Sequence, residues 1–441
     1  MPGRASEISG RVPRSTGVTR NLAGVNDPDS PLIGASDLGA SPVRFGGTTL
    51  TDWLTAADPR TRALSVWAMD RAAILPIGHS KQDVYWYANN GLFTTSVYYR
   101  DTLPGWVRDD NALRLPQRYA GKAWTPLLPD SMYTEPDSVP YETLEHKDFT
   151  FPRWFSKDSA AAAFRVRFTP RLDELTLRLA LTDLRKLDLG HGPETDILAI
   201  SLSGTDYVGH CFGPESKEQH DKIVRLARIL GAFFDTLYTL RDSSRIIVAL
   251  TADHGGGMIS ELHGHRRVRM APAMAATKAA IRAAGGDTTA IDFESGAFFV
   301  DGAKLGGRGL SAERVTSAFM QAAKAIPGVS RVDRFADLGA RDTTTDYIAR
   351  RWLHMFPKDL QPTVAVTLEE GDIYDIPIIA THGSPHMNDS HVPLVFYGPE
   401  FRPGRYDGFV RTVDIGPTLA RVLGVRPMER VDGGGLGRAV R

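Results

Sequence analysis

The chain has 441 residues, and its 52 lysines and arginines balance its 52 aspartates and glutamates, so the net charge gives no argument for a nucleic-acid or membrane-surface partner. A hydrophobic content of 42% supports a sizeable buried core and excludes large-scale disorder, while the single cysteine excludes an internal disulfide. No apolar run approaches the ~18–20 residues of a membrane span and the first residues contain no signal-peptide core, so the sequence indicates no compartment.

In the first half of the chain, residues 91–190 are rich in aromatic residues, prolines and charges, which predicts a mostly irregular insertion. The next apolar run, DILAISLSG (196–204), predicts a strand. Residues 217–242 predict an amphipathic helix, because apolar positions recur at i, i+3 and i+4. The run RIIVALTAD (245–253) predicts a second strand, and a strand, a helix and a strand in this order imply a right-handed crossover.

In the second half, residues 266–372 combine an Ala-rich helical run with a further strand–helix–strand set, which predicts a small α+β insertion. The run VPLVFYG (392–398) predicts a third main strand, and residues 412–424 predict the helix that follows it. The three main runs are largely unalternating, a pattern typical of parallel strands buried on both faces. The sequence therefore predicts an α/β fold with a mostly parallel central sheet and helices on both faces.

This organisation predicts an α/β core that two insertions interrupt. The predicted segments are a first part of the core (1–90), an insertion on the substrate side (91–190), the core with its polar motifs (191–265), the α+β insertion (266–372) and the last part of the core (373–441).

Acidic residues and histidines gather beside the three main strands. Asp206 and His210 follow the first strand at i and i+4, which puts both side chains on one face if the segment is helical. Asp253 and His254 end the second strand, and His382 precedes the third. Ligands of open α/β sheets collect beyond the carboxyl ends of the strands, and carboxylates with imidazoles are the ligand set of Zn²⁺ or a similar metal.

Each of these groups alone is more often a satisfied polar pair at a strand end than a metal ligand. Three such groups, one beside each strand, favour a metal site, because neither packing nor solubility requires them. The loop that begins at His382 also contains His386, Asp389 and His391, which we interpret as residues that support the metal ligands or order the loop.

The motifs SLSGTDYVGH, LTADHGGG and THGSPH…HVPLVFYGP resemble the metal-binding motifs of the alkaline phosphatase superfamily. The resemblance is to its type I phosphodiesterase/nucleotide pyrophosphatase branch, and within that to the phosphate-irrepressible alkaline phosphatases. It extends almost from end to end and includes SGRVPRSTGVTRN and RTVDIGPTLARVLGV. It implies an alkaline phosphatase-like fold and hydrolysis of a phosphoric ester by a Thr or Ser nucleophile beside two Zn²⁺ ions, roughly 4 Å apart.

The resemblance also implies roles for individual residues. Asp206, His210 and His382 would bind one zinc ion. Asp253 and His254 would bind the other, which activates the nucleophile.

Two further residues match the groups that hold the non-bridging phosphoryl oxygens, Asn21 and Arg71. Arginine suits this role because its planar guanidinium makes two parallel charge-assisted hydrogen bonds. A turn residue at Asn21 and a surface ion pair at Arg71 remain alternatives.

The match to the family begins before Met1. Counting back from the segment Met1–Arg4, the nucleophile would fall one residue before the chain, and the first metal-binding Asp would lie further upstream on the opening strand. We therefore expect the natural protein to begin upstream, and an export signal is possible there. Without that segment the second ion keeps two protein ligands, fewer than the usual four-coordinate shell.

Met69 stands where monoesterase-like members have a Lys. A monoester carries one negative charge more than a diester, so the loss of a Lys favours a diester, unless another cation replaces it. The substrate is expected to be a small-molecule phosphate ester or diester. The alternative function is a catalytically inactive relative or truncated form that binds a metal and a phosphorylated ligand without turnover. Sulfate-ester or phosphonate hydrolysis is a third, weaker hypothesis, because no sulfatase-like nucleophile motif is visible.

Overall fold

The computed structural model describes residues 2–19, 24–139 and 150–441. The chain forms two compact units, residues 1–253 with 392–441, and residues 254–391. No helix among the described residues is long and apolar enough to cross a lipid bilayer. The predicted segment boundaries stay a prediction.

The helices of the described residues are α1 (Pro2–Ser9), α2 (Pro13–Thr16), α3 (Leu50–Ala57), α4 (Asp70–Ile74), α5 (Gly105–Ala112), α6 (Ser159–Arg165), α7 (Arg171–Lys186), α8 (Gly204–Phe212), α9 (Lys217–Leu240), α10 (Ala271–Ala283), α11 (Ala312–Lys324), α12 (Tyr347–Met355), α13 (Met387–Ser390) and α14 (Ile415–Val422). The strands are β1 (Ala63–Trp67), β2 (Asp83–Tyr87), β3 (Phe93–Thr94), β4 (Ala123–Trp124), β5 (Arg153–Trp154), β6 (Ile197–Ile200), β7 (Val248–Thr251), β8 (Arg267–Val268), β9 (Ile291–Glu294), β10 (Ala297–Val300), β11 (Val329–Arg334), β12 (Val364–Leu368), β13 (Ile373–Tyr374) and β14 (Leu394–Tyr397).

The first unit contains a four-stranded sheet in the order β3-β2-β1-β6, in which β1 is parallel to both neighbours. Alternate residues of β1 enter two separate apolar clusters. Leu64 and Val66 join the cluster that contains residues of α7, whereas Ala63 and Trp67 join the cluster that contains residues of α4. Both faces of the strand are therefore covered, and the predicted α/β fold class is confirmed.

The pairing of the last two main strands differs from the prediction. β7 and β14 occur at the predicted positions but pair antiparallel with each other, in a two-stranded sheet. Along β14, Leu394 and Phe396 are half-buried and pack near α14, whereas Val395 and Tyr397 are more than half exposed. Both faces of this strand carry apolar residues, so its sequence does not show which face is exposed, and the prediction of complete burial was wrong.

The segment 91–190 is more regular than expected, because it contains α5, α6 and the 16-residue helix α7. The apolar residues Leu172, Leu175 and Leu179 of α7 recur at helical spacing and are buried. The prediction of a mostly irregular insertion missed α7, and this periodicity is the signal that identifies the helix.

The second unit is built around an antiparallel sheet in the order β11-β12-β10-β9. Its core joins this sheet to α10 and α11, and the rings of Phe298 and Phe319 stack 3.7 Å apart between a strand and a helix. The predicted Ala-rich helix and the strand–helix–strand set are present as α10, β10, α11 and β11.

Candidate functional site

Two neighbouring parallel strands of the first unit, β1 and β6, bring candidate residues to one edge of the sheet. In the pair of β1 and β6, Leu64 lies opposite Leu198. Arg71 follows β1 in the first turn of α4, and Asp206 follows β6 in the first turn of α8. Burial raises the pKa of Tyr207, an effect that the Arg71 guanidinium partly offsets and Asp206 reinforces. Arg71 and Asp206 therefore both influence the ionisation of the Tyr207 hydroxyl, as expected for residues that follow the carboxyl ends of neighbouring strands.

The Asp206 and His210 side chains meet on one face of α8. The distance from Asp206 Oδ1 to His210 Nε2 is 3.3 Å, and about a quarter of each side chain is exposed. A tetrahedral zinc ion with bonds of about 2.0–2.1 Å holds its ligand atoms roughly 3.3 Å apart. The i,i+4 prediction is confirmed, and the donor types and spacing of this pair fit a metal such as zinc.

Arg71 retains access to solvent. Its side chain is 29% exposed, and its Nη1 lies 3.6 Å from the carboxylate of the adjacent Asp70. The ion pair that the sequence left as an alternative is thus present, but it leaves part of the guanidinium available to a ligand. Met69, at the N-cap of α4, packs against an apolar cluster that includes Trp67.

Asp253 is held by the N-terminal helix. Arg4 Nη2 lies 2.9 Å from Asp253 Oδ1, and both side chains are less than one-fifth exposed. The same guanidinium lies over the Trp67 ring, 4.6 Å from its centroid. A Cβ on Gly3 would lie 2.2 Å from the Asp253 carbonyl oxygen, so only glycine permits this approach of α1. The sequence assigned no role to Arg4, because contacts between residues this far apart in the chain leave no local pattern.

In the second unit, His254 and His382 lie together. Their rings stack with centroids 3.4 Å apart and planes 14° from parallel. His254 Nδ1 lies 2.7 Å from the Gly255 carbonyl oxygen. With Nδ1 donating this hydrogen bond, the ring presents Nε2 for coordination, an arrangement common among metal-binding histidines.

Two backbone hydrogen bonds hold the loops that carry these histidines. The Gly255 N–H donates to the Asp389 carbonyl at 2.8 Å, and the Gly257 N–H donates to the Thr381 carbonyl at 3.1 Å. A Cβ on Gly255 would lie 2.0 Å from the Asn388 carbonyl oxygen. The glycines after His254 therefore allow the two loops to approach each other.

His386 and Asp389 support this arrangement. His386 is 6% exposed and its Nε2 lies 2.9 Å from the Leu368 carbonyl oxygen. Asp389 accepts the N–H of Ser384 at 2.7 Å. Both contacts fasten the loop, in agreement with the loop-ordering role predicted for these residues.

Of the predicted site residues, Asn21 lies outside the described residues. The first unit contains Asp206, His210, Asp253 and Arg71, and the second unit contains His254 and His382. Their assignment as ligands and phosphoryl-binding groups stays a prediction.

Comparison with known proteins identifies the family. The family model of type I phosphodiesterase / nucleotide pyrophosphatase matches residues 1–304. The alkaline phosphatase PafA of Elizabethkingia meningoseptica is 31% identical over 414 residues, covering 88% of this chain and 73% of that protein. The alkaline phosphatase PhoV of Synechococcus elongatus is 29% identical over 468 residues, covering 96% and 81%.

The crystal structure of wild-type PafA superimposes on this fold with a TM-score of 0.92 at 26% sequence identity, covering 100% of this chain and 89% of that one. The predicted resemblance is confirmed. The chain belongs to the type I phosphodiesterase / nucleotide pyrophosphatase family, and its relatives are phosphoric-ester hydrolases of the alkaline phosphatase type.

Proposed function

We propose that this protein hydrolyses a small-molecule phosphoric monoester or diester with the help of two zinc ions. The single observation that carries the proposal is the Asp206–His210 pair, whose donor atoms lie 3.3 Å apart on one face of α8. A second line of support is the similarity to alkaline phosphatases such as PafA and PhoV, because phosphate esters are commonly hydrolysed with the help of bound metal ions.

In this proposal Asp206, His210 and His382 hold one ion, and Asp253 with His254 contribute to the second. The bound metals would lower the pKa of the nucleophilic hydroxyl and neutralise charge on the entering and leaving oxygens. The imidazole and carboxylate donors are those that zinc prefers, which supports zinc over magnesium or calcium.

Arg71 orients the substrate. Its partly exposed guanidinium would donate two parallel hydrogen bonds to non-bridging phosphoryl oxygens, with Asn21 donating a third. The hydroxyl of a Thr or Ser, which the family pattern puts immediately before Met1, attacks phosphorus as the bond to the leaving oxygen breaks. The leaving oxygen takes up a proton, and water then releases phosphate or a phosphate monoester and restores the hydroxyl.

Met69 bears on the substrate class. Its side chain packs against apolar residues and carries no charge, so this position supplies no cationic partner for the second anionic oxygen of a monoester. This favours a diester over a monoester.

The test is hydrolysis by the chain extended upstream in its natural reading frame, stripped of metal and reloaded with zinc. We expect zinc-dependent hydrolysis of bis-p-nitrophenyl phosphate that His210→Ala reduces by at least a hundredfold. The matched control is His191→Ala, which removes the histidine of another Asp–His pair of the first unit, with Asp188, in which both side chains are more than half exposed. Equal activity of the two variants would contradict the proposal.

A second candidate is a binding protein without turnover. The observation that favours it is the Arg4–Asp253 ion pair, because a guanidinium 2.9 Å from the carboxylate competes with the second metal. One zinc per chain and no hydrolysis by the extended protein would support this candidate.

A further inference from the structure

The helix that carries Asp206 and His210 begins on a completely buried ion pair. Asp173 of α7 and Lys222 of α9 meet with Oδ2 2.5 Å from Nζ, and neither side chain has any exposed surface. Replacing such a pair with apolar residues of similar size is often neutral or stabilising. Stability of the fold therefore gives no sufficient reason for two buried charges at this position.

Asp173 makes a second contact that explains its charge. Its Oδ1 accepts the backbone N–H of Gly204, the first residue of α8, at 3.0 Å. The first N–H groups of a helix have no partner within the helix, and the N-cap Ser203 makes no side-chain capping bond here. A carboxylate at this end also interacts favourably with the helix dipole. Asp173 thus caps α8 from a different helix.

Lys222 and Gly204 complete the anchor. Lys222 neutralises a carboxylate that would otherwise be buried without a counter-charge. A Cβ on Gly204 would lie 2.8 Å from Lys222 Cε and 2.9 Å from Asp173 Oδ1, so the glycine lets both side chains reach the backbone. Gln219 of α9 adds a hydrogen bond from its side-chain amide to the Thr205 carbonyl at 3.3 Å.

We propose that Asp173 and Lys222 are positioning residues, which fix the start and rotation of α8 and thereby hold Asp206 and His210 in the arrangement that binds the metal. Asp206 is two residues and His210 six residues from the anchored Gly204, within two turns of helix. This inference rests on the proposed metal function of that pair.

The test replaces the pair with apolar residues, Asp173→Leu with Lys222→Met. We expect a folded protein whose Gly204 amide exchanges at least tenfold faster with solvent in the metal-free state. Its zinc affinity, measured by competition with a chromophoric chelator, should fall about 10–100-fold, as for other residues that support metal ligands.

The matched control is Asp110→Asn with Arg178→Met. This pair also involves α7, and its Asp110 side chain is 7% exposed, but its described contacts do not include α8. Its zinc affinity should equal that of the unsubstituted protein.

A second variant, Gly204→Ala, removes no buried charge. Alanine would raise the helix propensity of α8, yet its Cβ would push the helix start away from the anchor, so we expect a folded protein with weakened zinc binding. Unchanged zinc affinity and Gly204 exchange in folded variants would overturn the inference. If the unsubstituted protein binds no zinc, the proposed function fails, while amide exchange in the metal-free protein still decides whether the pair anchors α8.

Discussion

Asp183 provides a prediction whose size can be worked out. It lies on α7 without exposed surface. Burial raises the pKa of its carboxyl from 3.8 to about 8, the neighbouring Asp83 and Asp110 act in the same direction, and Arg100 opposes them. Between these two pH values the unfolded chain has released this proton and the folded chain retains it. The free energy of unfolding therefore falls as pH rises through this window, by up to about 1.4 kcal/mol per pH unit, and levels off above it.

Asp183→Asn removes the titration while preserving the shape of the side chain. The stability of this variant relative to the unsubstituted protein should rise by about 2–3 kcal/mol between pH 6 and pH 8. Urea unfolding followed by tryptophan fluorescence at several pH values, with chelator present, measures this difference. The exposed Asp235→Asn serves as the control for the loss of one acidic group. A difference that stays constant or shrinks as pH rises would refute the reasoning.

Three further substitutions test the loops and the substrate class. Gly255→Ala should lower the free energy of unfolding by about 1–3 kcal/mol, because its Cβ would collide with the backbone. Gly256→Ala, with nothing within 4 Å of its Cβ, should change the stability little. Equal thermal midpoints of the two variants would contradict this prediction. Arg4→Met should lower the thermal midpoint of the zinc-free protein more than that of the zinc-loaded protein, because zinc replaces the guanidinium as the partner of Asp253. Equal shifts of the two midpoints would show that zinc and Arg4 do not compete for Asp253. Met69→Lys should raise the ratio of kcat/KM for p-nitrophenyl phosphate to that for the diester about tenfold, and an unchanged ratio would remove this position from the account of specificity.

Local patterns made the main elements predictable. The 3.6-residue repeat of α9 and the short apolar runs of β6, β7 and β14 are visible in the sequence, and the helix Lys217–Leu240 matches its prediction closely. The i,i+4 geometry of Asp206 and His210 also follows from helical spacing alone. The pairing of the strands does not follow from such local patterns. A fully apolar run such as that of β14 is compatible with parallel or antiparallel pairing and with exposure of either face.

The supporting contacts of the candidate site could not be predicted in this way. Asp173 and Lys222 are 49 residues apart in sequence, and each lies among ordinary charged residues of an amphipathic helix. Their complete burial depends on how α7 and α9 pack, which no local pattern encodes. The glycines were visible as a motif, but only the structure shows that Gly255 is needed for a close backbone approach.

Zinc content tests the central claim most directly. The upstream-extended protein should contain two zinc ions per chain after it has been loaded with zinc and freed of excess metal. Inductively coupled plasma mass spectrometry measures this content. His210→Ala should lose at least one of them, whereas His191→Ala should keep both. A protein that retains no zinc, or whose zinc content is the same in both variants, would contradict the assignment of the Asp206–His210 pair as metal ligands.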